Sequence, residues 1–428
     1  MEIKIRGASE HNLKDVDIDI GDGLTVVTGV SGSGKSSLIR DILEAEAKRR
    51  FLETLSMYER QGTHEGPEAL VDSVAGLGVS VFVSSSSGPY GRRSTVGTIS
   101  EILHHLAILL ATVGERVCLN CGVTMKRNEE WDCPNCHSKA PIAKPRHFFS
   151  STYAAACQKC HGVGTVQVPV PEKLIIHPEK PLCNGAMYSP GFFPKGYLCK
   201  PYNGGYYIVQ AVARRYGFDP STTPWNKMTV EAQKAFLFGD SEPLNVIFES
   251  HKRPPTTRKL VFHGLYGWVG DWDVGGTYTR TSPCPQCNGS GFKPEYLAVK
   301  LGSYNVQELD AMSLTRLAQV IDEILVPDFD PFHIEGSLHT IRKRLRFLLQ
   351  FGLGYLSLSQ VFGTLSAGEA QRIRLAGLLG SGLTSLTVLV DEPTRGMHPS
   401  EVEALVEALL ELRNEGNTVI AVDYKRCP

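Results

Sequence analysis

The octapeptide GVSGSGKS at positions 29–36 constrains this chain more than any other feature. A short apolar run, Leu24 to Thr28, precedes it, and a stretch with helical patterning follows. Strand, glycine-rich turn and helix with the spacing G-x-x-x-x-G-K-[ST] make a P-loop. Gly29, Gly32 and Gly34 let backbone N–H groups turn inward onto phosphate oxygens, and the helix adds its positive N-terminal end. Lys35 is expected to reach the β- and γ-phosphates of ATP, and Ser36 to ligate Mg²⁺. Ser33 and Ser37 complete the expected nucleotide-binding set. Just upstream, Val16, Ile18 and Ile20 alternate with Asp15, Asp17 and Asp19, the pattern of a half-buried strand.

Two further elements lie far downstream. Thr387 to Val390 is an apolar, β-branched run that ends in Asp391-Glu392-Pro393. This reads as a Walker B strand, with Asp391 holding Mg²⁺ and Glu392 polarising the attacking water. Before it comes LSAGEAQR, Leu365 to Arg372. A Ser-x-Gly turn that opens a helix is another anion-binding N-terminus, with Ser366 and Gly368 as phosphate contacts. The same residues also fit a plain capped helix, with Ser366 as N-cap and Glu369 three residues on. P-loop, signature and Walker B in this order specify an ATP-binding cassette (ABC) ATPase of α/β class.

More than 300 residues separate Ser36 from Leu365, against about 100 to 150 in an uninterrupted cassette. Extra domains are therefore inserted, and they carry the specific function. The 428 residues are 42% hydrophobic, enough for two or three folded domains. The formal charge of −1 excludes a global basic bias, so a nucleic-acid surface has to be a local patch. The longest apolar stretch, Leu106 to Val113, is too short to span a membrane. The N-terminus, MEIKIRG, has no signal-peptide pattern, and a cytoplasmic protein is expected.

Eight of the 11 cysteines form four CxxC pairs: Cys118/Cys121, Cys133/Cys136, Cys157/Cys160 and Cys284/Cys287. Each pair presents two thiolates from one turn, and two turns complete a tetrahedral Zn²⁺ site. Local spacing favours 118/121 with 133/136, which leaves 157/160 with 284/287. The alternative joins 133/136 to 157/160. Cys183, Cys199 and Cys427 fall outside this scheme and read as structural or free.

Several segments resemble the UvrA family, the damage-sensing ATPase of bacterial nucleotide excision repair. They include IRGASEHNLKDVDIDI before the P-loop, RRFLETLSMYERQ at 49–61 and RRSTVGTISEI at 92–102. RHFFSSTYAAACQKCHGVGT at 146–165, PCPQCNGSGF at 283–292 and the long block at 353–383 complete the set. The resemblance is to an N-terminal half of UvrA, or to a short UvrA-like protein. It implies a Q-loop glutamine at Gln61, a catalytic set of Lys35, Gln61 and Glu392, and double-stranded DNA as partner, read through its deformability. It implies an ABC core at 1–86 and 380–428, and a signature domain with zinc modules at 87–160 and 284–379. An α+β insertion domain that helps clamp DNA falls at 161–283. ATP, Mg²⁺ and Zn²⁺ are the implied cofactors.

The chain departs from the family at four points. Only residues 122–132 lie between the first two cysteine pairs, where the family carries its UvrB-docking domain, so docking by that route is in doubt. There is one P-loop and one signature, so a homodimer or a second cassette has to supply the other half-site. Asp423-Tyr424 replaces a Glu-His switch, and tyrosine cannot shuttle a proton at neutral pH. Ala367 stands where the signature usually has glycine. The expected activity is ATP hydrolysis, with no excision nuclease in this chain. The alternatives are self-resistance to a DNA-directed drug, or one half of a split protein. A transporter ATPase is disfavoured, because membrane-coupled cassettes do not need zinc pairs. Lys252, Arg253, Arg258 and Lys259, with Tyr266, Trp268 and Trp272, read equally as DNA contact or as a solvated loop beside an aromatic core. Arg342, Lys343, Arg344 and Arg346 read as a solvated helix face. Arg92 and Arg93 are further basic candidates.

Overall fold

A computed structural model describes the chain except for residues 1, 57, 61–67, 85–90, 92, 190–192, 251–252, 269–272, 274–275, 325–330, 380 and 425–428. Gln61, Arg92, Lys252, Trp272 and Cys427 therefore lie outside the described residues, as does the side chain of Arg253. The contacts divide the chain into two compact units, residues 1–163 with 290–428, and residues 164–289.

The first unit is organised by a four-stranded parallel sheet. Its strands stand in the order Leu24–Thr28, Thr418–Asp423, Thr387–Asp391 and Ser80–Val83. The two central strands are Val-, Leu- and Ile-rich without alternation, as strands covered on both faces are. A three-stranded antiparallel sheet pairs Ile3–Ala8 with Val16–Ile20 and with Ser73–Ala75. Its Ile3, Ile5 and Ile20 pack with Ile39, Ile42, Leu43 and the central-strand residues Leu389 and Ile420. The helix after the P-loop starts with π-type winding over Ser37–Glu44 and continues as Ala45–Glu53.

A helical layer forms the rest of this unit. Ile102–Val113 is apolar on nearly every face and is a core helix; Pro331–Gln350 packs against it, and Leu314–Asp322 packs on Pro331–Gln350. Among the described residues, no helix is long and apolar enough to cross a membrane. The first cysteine module is a small three-stranded sheet of Lys126–Arg127, Trp131–Asp132 and Lys139–Ala140.

In the second unit, helices Gly204–Tyr216 and Val230–Phe238 pack beside a hairpin, Leu244–Ser250 with Arg253–Leu260. Thr229 caps the second helix by accepting from the Ala232 N–H at 3.2 Å. Cys183 and Cys199 form a disulfide, with Cα atoms 5.2 Å apart. Their lack of CxxC spacing gave no sequence signal for this pairing. The bridge closes a loop of about 15 residues, a length for which a disulfide typically contributes about 3 kcal/mol. Replacing both cysteines with serine is expected to lower the urea midpoint of this unit by a corresponding amount under oxidising conditions. An unchanged midpoint would show that the loop is already held by its packing.

Candidate nucleotide-binding and metal sites

The parallel sheet brings together residues that are 355 positions apart. Ser36 Oγ donates to Asp391 Oδ1 at 3.2 Å, so the two expected Mg²⁺ ligands are in contact. Burial pushes the Asp391 carboxyl above its ordinary value, and the Ser36 hydroxyl opposes that shift. Gly34 closes the loop with φ +90°, and a Cβ there would stand 2.7 Å from Leu13 Cδ2. The backbone conformation therefore favours glycine, and a Cβ would also displace the end of the Leu13 side chain.

Lys35 is 6% exposed. Its ammonium donates to the carbonyls of Gly29 at 2.9 Å and Val30 at 2.7 Å, and it lies 3.4 Å from Ser33 Oγ. The Tyr424 ring covers it, with the nitrogen 4.2 Å from the ring centroid. The lysine is thus folded back onto its own loop, under Tyr424. Asp423 is buried and accepts from Thr394 N at 3.2 Å and Thr394 Oγ1 at 2.6 Å. It fixes the turn after the Walker B strand, a role the sequence did not signal.

Glu392 adopts φ +50°, a left-handed conformation that is strained for a residue with a side chain. Its N–H donates to Val422 O at 2.8 Å, and its carboxylate pairs with Arg395 Nη1 at 2.9 Å. The proposed catalytic carboxylate is therefore held by an exposed arginine three residues on.

Ser366 N-caps the signature helix, Ala367–Leu378. Its Oγ accepts from the Glu369 N–H at 3.3 Å, and the Ser366 N–H donates to Glu369 Oε2 at 2.6 Å. The Tyr355 hydroxyl holds the other Glu369 oxygen. This is the complete capping box. Ala367 is the first helical residue and has no positive φ, so it satisfies the glycine position without strain.

The thiols of Cys118, Cys121, Cys133 and Cys136 gather with all sulfurs within 4.8 Å. This is the pairing that local spacing favours for them. Cys118 and Cys136 sulfurs are 3.5 Å apart, and Cys121 and Cys133 sulfurs 3.4 Å. Four thiolates at Zn–S bonds of about 2.3 Å stand roughly 3.8 Å from one another. This donor set fits a tetrahedral metal.

The basic candidates separate. Pro254–Lys259 is exposed on the hairpin, where Arg258 lies 5.9 Å from the Phe248 ring. Tyr266 is buried and donates to Tyr278 O at 3.1 Å, and burial pushes its hydroxyl up to about 12. Trp268 packs on Phe262. Tyr266 belongs to one core cluster, and Trp268 packs half-buried against another. Arg93 donates to His161 O at 3.2 Å.

The 342–346 run is not a uniformly solvated face. Arg344 is 1% exposed and donates to Leu379 O, Gly377 O and Glu101. It thereby caps the C-terminal end of the signature helix. Lys343 bridges Glu411 and Glu415, Arg346 pairs with Glu411, and Arg342 with Asp322. Helix periodicity could not separate these positions, because a long cation on a buried face looks the same in sequence as one in solvent.

Residues 171–272 match the UvrA DNA-binding domain family. UvrABC system protein A of Thermus thermophilus is 30% identical over 559 aligned positions, covering 99% of this chain and 58% of that protein. The Streptomyces coelicolor protein of the same name is 28% identical, covering 98% of this chain and 54% of its own length. Among solved structures, UvrA2 from Deinococcus radiodurans superposes with TM-score 0.72 at 26% identity, over 99% of this chain and 52% of that one. The chain spans between half and three fifths of the length of these relatives. The ABC-type α/β cassette expected from the motifs is the fold found in UvrA2.

Arg344→Ala takes the donor from the Leu379 and Gly377 carbonyls and is expected to cost about 2–3 kcal/mol in urea unfolding. Arg342→Ala and Arg346→Ala should each cost less than about 1 kcal/mol. Equal costs at all three positions would contradict the burial described here.

Proposed function

We propose that this chain, UvrA-like along 99% of its length, is an ABC ATPase that binds duplex DNA and couples ATP binding and hydrolysis to inspection of damage. The Ser36–Asp391 contact carries the ATPase part, because it joins two Mg²⁺-binding positions from opposite ends of the sequence. The UvrA DNA-binding domain match at 171–272 supports the DNA part. On this reading the insertion domain at 161–283 engages duplex. The exposed strand at Pro254–Lys259 supplies phosphate contacts there, and recognition goes through backbone shape rather than base identity.

When ATP enters, Lys35 leaves the carbonyls of Gly29 and Val30 for the β- and γ-phosphate oxygens, and Tyr424 gives up its contact with the ammonium. Ser36 and Asp391 hold Mg²⁺, which neutralises phosphate charge. Glu392 orients water once it is released from Arg395. Ser366 and Gly368 offer the signature's N–H groups to a nucleotide bound by another cassette. That cassette comes from a second copy or a second half. The two cysteine clusters hold structural Zn²⁺, one ion each. Docking of UvrB by the family's usual route is not part of this reading, given only 11 residues, 122–132, between the first two cysteine pairs.

ATP turnover measured with and without damaged duplex tests the reading. Lys35→Ala and Glu392→Gln should abolish hydrolysis, and Glu392→Gln should still bind nucleotide. Tyr424→His restores a proton-carrying switch and should raise turnover by about tenfold or more. Duplex binding should fall steeply with salt, linearly in log–log form. Salt-insensitive binding, or none, would sink the DNA assignment. Metal analysis should return two zinc equivalents per chain, with Cys133→Ser losing one.

A further inference from the structure

The signature helix does more than present Ser366. Gln371, one turn into Ala367–Leu378, is 4% exposed. Its amide Nε2 donates to the carbonyl oxygens of Asp391 at 2.6 Å and Val83 at 3.3 Å. Val83 stands beside Val390 in the parallel sheet, so this amide spans the ends of two neighbouring strands. Three residues on, Arg374 Nη1 donates to Ser84 O at 3.0 Å. Positions i and i+3 share a helix face, and this face is bonded to the strand ends where the ladder stops. Packing alone would be met by an apolar side chain, and burying an amide is costly unless both hydrogens are used. Here both are used.

Asp391 is the residue whose carboxylate contacts Ser36, and Glu392 follows it directly. Five residues before Gln371, the same twelve-residue helix starts at its N-cap Ser366, which the ATPase reading turns towards a phosphate. Resting on the ATPase reading above, we infer that Gln371 is a positioning residue that ties the signature helix to the backbone of the Walker B carboxylates. The placement of that helix, set by a phosphate docked at Ser366, is thereby imposed on Asp391 and Glu392 of the same chain.

The test compares Gln371→Met, which keeps the volume and removes both donors, with Ile373→Val, which perturbs a buried position of the same helix. Gln371→Met should lower kcat for ATP about tenfold, because the Asp391 carbonyl loses its donor. The Kd for ATP without Mg²⁺ should stay within about twofold of wild type. Ile373→Val should leave kcat within about twofold even where it lowers the melting temperature equally. If the two variants lose kcat alike, Gln371 is merely structural and the inference fails. If the wild-type chain binds ATP without turning it over, the ATPase reading fails separately. The readout is then the gain in nucleotide affinity on adding Mg²⁺, which Gln371→Met should lose and Ile373→Val keep. Retention of that gain by Gln371→Met overturns the inference.

Discussion

Everything in the nucleotide site depends on one register: the pairing of Leu24–Thr28 with Thr418–Asp423, and of that strand with Thr387–Asp391. These strands end level with one another, so the P-loop, Asp391 and Tyr424 emerge at a common edge of the sheet. Parallel pairing makes this possible, because ligand sites in such sheets form beyond the carboxyl ends of the strands. The Ser36–Asp391 hydrogen bond is the visible result. The interaction is weak by itself, and it owes its existence to the buried Val, Leu and Ile of the central strands.

Around that edge, charged side chains are held by near neighbours in sequence. Lys35 sits on its own loop carbonyls, Glu392 on Arg395, and Glu369 on Tyr355 and the Ser366 N–H. Each partner is local, within 14 residues. Groups that must not move are held differently. Arg344 and Gln371 are buried and bond backbone carbonyls, whose positions are set by helix and sheet.

The cassette was legible because its chemistry needs fixed residue types at fixed spacing. GVSGSGKS, LSAGE and the DE after an apolar run admit few other readings in that order. The cysteine pairing was legible for the same reason, as four CxxC turns have few ways to complete tetrahedra. Positions whose meaning depends on a distant partner were not legible. Gln371 lies in an ordinary amphipathic helix until the strand ends are placed beside it. Arg344 is one of four cations within five residues, and only the fold selects which of them is buried. Tyr266 and Trp268 follow a basic segment and resemble a stacking surface, yet Tyr266 is buried in the core of its unit and Trp268 packs half-buried against it. The disulfide joins two cysteines that share no motif.

The strand order also fixes when the ATP core can exist. The P-loop strand ends at Thr28, and its neighbour in the sheet ends at Asp423, which is 423 − 28 = 395 residues later. At a synthesis rate of about 5–20 residues per second, the loop waits roughly 20 to 80 s for the strand that supports it. The segment 164–289, which has its own core, is synthesised well before that. A chain still on the ribosome therefore carries the whole of this unit while it lacks the strand that completes the sheet around the P-loop.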